Sequence, residues 1–301
     1  MWSPRLEING SLCAIATPFN EGGALDLPAF GRLLDYQLDG GTQGIVVAGS
    51  TGEAHMLDEH EYERLLAFAV ERIARRVPVL AGTGEAATSK TIALTKRAKA
   101  LGADAALVVT PYYVRPTQDG LRRHFAEVAA RGGLPVVMYN VPSRTGCDML
   151  PETVAALRDT AGIVGIKEAV GKPERIAAIA QLQRPGFVYL SGDDGSAADA
   201  MLAGAGGVVS VVNNLVPKTF RALCDAARGG DRAAAKQHAD RIAPLLDALD
   251  CAPNPIPVKA GLAELGLCGV ALRLPLVELP PGPERTRLRQ TLLPLAGVTT
   301  P

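Results

Sequence analysis

The apolar positions change period along the first two thirds of the chain. Short β-branched runs at 12–16, 44–48, 77–81, 105–110, 135–140, 163–168, 187–190 and 207–211 read as strands. Between them, apolar residues recur with helical spacing over 27–38, 59–75, 89–101, 121–131 and 173–181. Strict strand–helix alternation implies a parallel sheet, and eight such units in roughly two hundred residues predict a closed (β/α)8 TIM barrel, an α/β fold. The rival is an open doubly wound sheet, which places a glycine-rich phosphate turn after its first strand. Here that turn reads Thr17-Pro18-Phe19-Asn20 and carries no such glycines.

Beyond the eighth run, helical patterns at 218–227, 232–249, 258–266 and 284–293 exceed what a minimal barrel needs. They predict a barrel domain over 1–228 and a C-terminal helical extension over 229–301 packed on it. The Pro-rich stretches 252–257 and 274–283 punctuate the extension.

Composition narrows the partners. Lys plus Arg and Asp plus Glu number 31 each, so no summed field draws in nucleic acid or an anionic membrane. No apolar run approaches the roughly 20 residues of a membrane span, and residues 1–9 lack the order of a signal peptide, so the expected address is the cytoplasm. Five cysteines without a C-x-x-C fit reduced thiols, and His55 and His60 lack a ligand spacing, so no metal is expected. The expected partner is a small molecule.

In a barrel the chemistry gathers where strands end. Only eight lysines stand against twenty-three arginines, and Lys167 alone falls within a predicted strand. Alternation points it inward and turns Ile166 and Glu168 toward the outer helices or solvent. Apolar walls disfavour an ammonium, and a neutral amine attacks a ketone to form a Schiff base. The bland alternative is a structural cation paired with an acid. Tyr139, inward at the end of the adjacent strand, suits the proton transfers such chemistry needs, or simply lines the barrel.

The remaining candidates are each weaker alone. Ser50-Thr51 lies in a Gly-flanked turn that could cradle a carboxylate or cap a helix. Arg144, in a loop held by Pro142 and Gly146, suits a bidentate carboxylate contact or a surface ion pair. Tyr112-Tyr113 could fill a core or an interface. Asp193-Asp194 lacks a third metal ligand and favours turn hydrogen bonding. Gly192 and Val209, at the seventh and eighth runs, complete the candidate substrate-binding set with Thr51 and Arg144.

Five separated motifs carry a resemblance: Gly-Ser-Thr-Gly-Glu at 49–53, Thr-Pro-Tyr-Tyr at 110–113, Tyr-Asn-Val-Pro-Ser-Arg-Thr-Gly at 139–146, Gly-Ile-Lys-Glu-Ala at 165–169 and Asn-Pro-Ile-Pro-Val-Lys at 254–259. Together they resemble the dihydrodipicolinate synthase and N-acetylneuraminate lyase family over essentially the whole chain. The resemblance implies that Lys167 captures pyruvate as a Schiff base and that Tyr139 moves protons at the imine. It implies that Ser50 and Tyr113 complete a relay, Tyr113 crossing a tight-dimer interface within a homotetramer. By the same match Thr51 holds the pyruvate carboxylate and Arg144 the carboxylate of L-aspartate 4-semialdehyde, in lysine and diaminopimelate biosynthesis, with no cofactor.

One departure is Ser at position 50, where synthases commonly carry Thr and sialate lyases Ser; Ser143 to Gly146 and Ser191 to Asp194 are synthase-like. The alternatives are an aldolase or dehydratase of a 2-keto-3-deoxy sugar acid or sialic acid, and a barrel that binds a keto acid without catalysis. Some members are inhibited by lysine beside the first tyrosine of the pair, here Tyr112. The other positions of that pocket hold Glu59, Tyr62, Ala86 and Lys90, which implies insensitivity.

Overall fold

The computed structural model describes residues 7–297. Residues 1–6 and 298–301, where the expected missing signal sequence and the tip of the expected extension fall, lie outside the described residues. Eight parallel strands close in sequence order: β1 (Gly10–Ala14), β2 (Gly44–Val47), β3 (Val79–Gly82), β4 (Ala105–Val109), β5 (Val136–Asn140), β6 (Ile163–Glu168), β7 (Val188–Ser191) and β8 (Gly207–Ser210). Closure of β1 on β8 excludes the open sheet.

The surrounding helices are α1 (Leu27–Asp39), α2 (Glu59–Ile73), α3 (Thr88–Ala100), α4 (Gln118–Gly132), α5 (Pro142–Thr145), α6 (Pro151–Leu157), α7 (Pro173–Ala180), α8 (Ala197–Leu202) and α9 (Pro217–Arg228). After them come α10 (Arg232–Leu249), α11 (Ile256–Glu264) and α12 (Pro283–Leu295). Their starts follow from local chemistry. Proline opens α5, α6, α7, α9 and α12, where a missing N–H costs nothing. Asp58 and Glu61 form a reciprocal capping box on α2, and Asp26, Thr117 and Asp231 cap α1, α4 and α10 through their side chains.

Two apolar layers sandwich the strands. Leu12, Ala14, Val46, Leu80, Leu107, Val137, Tyr139, Leu190 and Val209 fill the interior. A larger layer, with Ile45, Val47, Ala81, Val108, Met138 and Ile166, packs against the helices. Side chains of adjacent residues therefore face opposite layers, which is why buried parallel strands read as continuous apolar runs.

The structure differs from the pattern at edges and short elements. β1 ends at Ala14 rather than residue 16, because the amide of Ala16 turns to Asn214 Oδ1 at 3.0 Å. Pro78 has no N–H for the ladder, so β3 begins after it. The helices α5, α6 and α8 have four, seven and six residues, too few to display a 3.6-residue period. At the C-terminal side, α10 packs on α8, α9 and α12, while α11 packs on α12 and on the turn Val212–Asn214 that follows β8.

Candidate active site

The pairing of β5 with β6 begins with Val136 opposite Ile163, a register that, continued, sets Tyr139 opposite Ile166. A bulge between Val136 and Val137 shifts it by one residue, so Tyr139 faces Lys167 instead. Both side chains then enter the barrel. Lys167 is 3% exposed, and its Nζ lies 4.2 Å from the centroid of the Tyr139 ring. Gly192 gives the lysine stem its room, since a Cβ there meets Lys167 Cε at 2.8 Å.

Lys167 and Tyr139 open on a cavity of about 280 Å³ at the carboxyl ends of the strands, whose lining does not include Gly192 or Thr51. Ser50, Arg144, Tyr112 and Glu85 also line it. Ser50 caps no helix: the turn runs through Glu53, in the left-handed region at φ 52°, into a 3-10 turn at Ala54–Met56. Arg144 stands on the helical turn α5 rather than in a loop, and Gly146 at φ 67° ends that turn. Its Nη2 donates to the Asn254 carbonyl at 3.2 Å. Thr51 is buried, and its Oγ1 accepts from Asn254 Nδ2 at 2.9 Å.

Not every candidate reaches the cavity. Val209 is fully buried in the inner apolar layer. Tyr113 points away, 91% exposed, with its backbone at φ 70°. Its neighbour Tyr112 donates its hydroxyl to Glu85 Oε2 at 2.9 Å and meets the His55 ring edge-on at 4.7 Å between centroids. Burial and the Glu85 carboxylate push the Tyr112 phenol up to about 12. Asp193 and Asp194 act in turns: Asp193 accepts from Ser196 N and Oγ, and Asp194 from the amides of Val211 and Val212. Among the described residues no group of three His, Cys, Asp or Glu could hold a metal.

Two lysines are buried, and their surroundings separate their roles. Lys259 on α11 pairs with Glu53, both side chains fully buried, and it donates to the Ala271 carbonyl at 2.9 Å. Burial pulls that ammonium down, while Glu53 opposes the shift. Lys259 is thus the structural cation. Lys167 takes part in no ion pair among the described residues, which leaves its amine to the cavity.

Behind it, Glu168 faces outward as alternation requires, yet it is 1% exposed. Asn140 Nδ2, the Val170 amide and Arg175 Nη1 all donate to its carboxylate. Burial raises the Glu168 carboxyl despite these contacts. Arg175 also bonds Asp148, so this network locks together the strand ends that carry Tyr139 and Lys167.

Sequence reasoning missed Asn254 and Glu85. Asn254 lay in plain view in the motif that ends at Lys259. Glu85 directly follows the Gly82-Thr83-Gly84 turn, and nothing in its spacing marks it as a cavity group.

The same architecture recurs in known proteins. A 4-hydroxy-tetrahydrodipicolinate synthase of Xanthomonas axonopodis pv. citri is 58% identical over 274 residues, covering 91% of this chain and 90% of that protein. One from Pseudomonas aeruginosa is 45% identical, covering 94% and 98%. The crystal structure of the dihydrodipicolinate synthase from Acinetobacter baumannii complexed with pyruvate superposes with a TM-score of 0.93 at 40% identity, covering 97% of this chain and all of that one. With residues 7–292 matching the model of the dihydrodipicolinate synthetase family, the chain belongs to that family.

Proposed function

We propose that the chain condenses pyruvate with L-aspartate 4-semialdehyde to give 4-hydroxy-tetrahydrodipicolinate and water, as a class I Schiff-base lyase. The observation that carries this reading is Lys167, free of any carboxylate partner among the described residues and set under Tyr139 at the floor of a cavity. Its amine attacks C2 of pyruvate, and the carbinolamine loses water to leave an iminium. Loss of a C3 proton gives an enamine, which attacks the aldehyde carbon of the second substrate. The amine of that substrate then attacks C2, closes the ring and expels Lys167.

Tyr139 serves as the proton carrier at the imine, with Ser50 and Tyr113 completing the relay. Thr51 and Gly192 form the pyruvate end of the site, with Val209 backing it from the inner apolar layer, and Arg144 receives the carboxylate of the semialdehyde. Tyr113 lies outside the cavity of its own chain, exposed on a left-handed backbone beside exposed Val114. We assign it to the site of a neighbouring subunit, in a homotetramer built from tight dimers. No described helix is long and apolar enough to cross a membrane.

The test is product identification: pyruvate consumption measured against a panel of aldehydes. The expected result is preference for aspartate semialdehyde and formation of the cyclic product. Preference for a sugar aldehyde, with an open-chain 2-keto-3-deoxy acid or sialic acid as product, supports the aldolase alternative instead.

A further inference from the structure

Asn254 stands between the two groups assigned to the substrates' carboxylates. Its amide donates to Thr51 Oγ1 at 2.9 Å, while its backbone carbonyl accepts from Arg144 Nη2 at 3.2 Å. The amide oxygen Oδ1 is itself buried and has no hydrogen-bond partner among the described residues. A buried orphan acceptor destabilises the fold, so stability alone does not explain an asparagine here. Its donating half supplies a reason. A hydroxyl that accepts from an amide keeps its own proton for a different acceptor, and Thr51 Oγ1 makes no second hydrogen bond among the described residues.

We propose that Asn254 is a positioning residue that, by donating to Thr51, holds the Thr51 hydroxyl as a hydrogen-bond donor aimed at the carboxylate of the keto acid. This rests on the Schiff-base reading above, with Thr51 at the pyruvate end. The polarity matters because a threonine hydroxyl free to rotate presents a lone pair to an anion as readily as a proton. Fixing it in advance removes that repulsive orientation before pyruvate arrives. The effect belongs to keto-acid binding, since the Arg144 contact uses the Asn254 backbone and survives replacement of the side chain.

The experiment compares the wild type with Asn254→Ala, Asn254→Asp, Thr51→Val and the Asn254→Ala/Thr51→Val pair. Steady-state kinetics are combined with borohydride trapping of pyruvate. Asn254→Ala is expected to raise KM for pyruvate by up to about tenfold, the worth of one hydrogen bond, with kcat and the semialdehyde KM within about twofold. A general loss of folded enzyme lowers kcat instead, so the split separates positioning from instability.

Asn254→Asp is the sharper variant. A carboxylate only accepts, so it turns the Thr51 proton toward itself, and the pyruvate KM is expected to rise further than in Asn254→Ala. In the Thr51→Val background, Asn254→Ala is expected to add nothing. Additive losses in the pair, or an Asn254→Asp enzyme with the wild-type pyruvate KM, would overturn the assignment. Failure of pyruvate to trap on the wild type overturns the Schiff-base reading as well, whereas trapping with unaltered variants overturns this assignment alone.

Discussion

Arg144 is exposed at the cavity mouth on α5, while Lys167 is buried in β6 at its floor, so replacing each has a different consequence. Arg144→Ala is expected to cost about 1.5 to 3 kcal/mol of semialdehyde turnover, the range for a hydrogen bond to a charged group, while pyruvate still forms its imine. Turnover by that variant at the wild-type rate would remove Arg144 from the site. Lys259 is the control. Lys259→Met leaves Glu53 buried without its partner and is expected to lower unfolding stability by about 3 to 5 kcal/mol in a urea titration, with trapping at Lys167 retained. The contrast between the two lysines was half legible in the sequence. Strand position singled out Lys167, but that Lys259 is the one carrying a buried acid required seeing α11 laid against the turn after β2.

At the scale of elements, periodicity located all eight strands because each is an apolar run of usual strand length bounded by turn residues. It could not show the bulge between Val136 and Val137, since an extra residue in one strand leaves both apolar patterns intact. That bulge is what brings Tyr139 opposite Lys167. The outer helices carry a pH-dependent tie. His124 on α4 meets Thr88 Oγ1 of α3 at 3.0 Å, its Nε2 is buried without a partner among the described residues, and burial lowers the imidazole from 6.5 to about 4. A base depressed in the folded state stabilises fully above its unfolded value and loses that contribution as pH falls toward the folded one. Between pH 7 and 4.5 the wild type is therefore expected to lose about 2 to 3 kcal/mol more stability than His124→Gln, read from urea midpoints. Parallel pH profiles for the two proteins would place the imidazole in solvent.

The whole molecule is where the sequence spoke least, because subunit contacts leave no period in a single chain. Tyr113 supplies the observable. An exposed tyrosine on a left-handed backbone is a costly surface residue unless a neighbour receives it. Lys167→Ala and Tyr113→Phe are each expected to be impaired alone. If Tyr113 serves the partner's site as proposed, a hybrid formed by mixing and subunit exchange is expected to regain one intact site, in which Lys167 of the Tyr113→Phe chain meets the Tyr113 of its partner. No recovery in demonstrably hybrid oligomers would place Tyr113 outside the partner's site.

The cleft around Tyr112 gives a second expectation. Its hydroxyl is engaged by Glu85 and Glu59 is paired with Arg97 at 2.8 Å, while the motif alignment sets Lys90, exposed on α3, at the position where a like charge repels an ammonium ligand. Millimolar L-lysine is expected to leave turnover largely unchanged, and half-inhibition below about 1 mM, roughly 4 kcal/mol of binding, would contradict it.

The imine on Lys167 can be observed directly. Borohydride added to the enzyme with pyruvate should reduce the imine and fix a three-carbon unit, which peptide mass spectrometry is expected to find on the fragment containing Lys167 and on no other. Lys167→Ala should then show neither label nor turnover. A label on Lys259 or elsewhere, or undiminished turnover in Lys167→Ala, would contradict the Schiff-base mechanism at this residue.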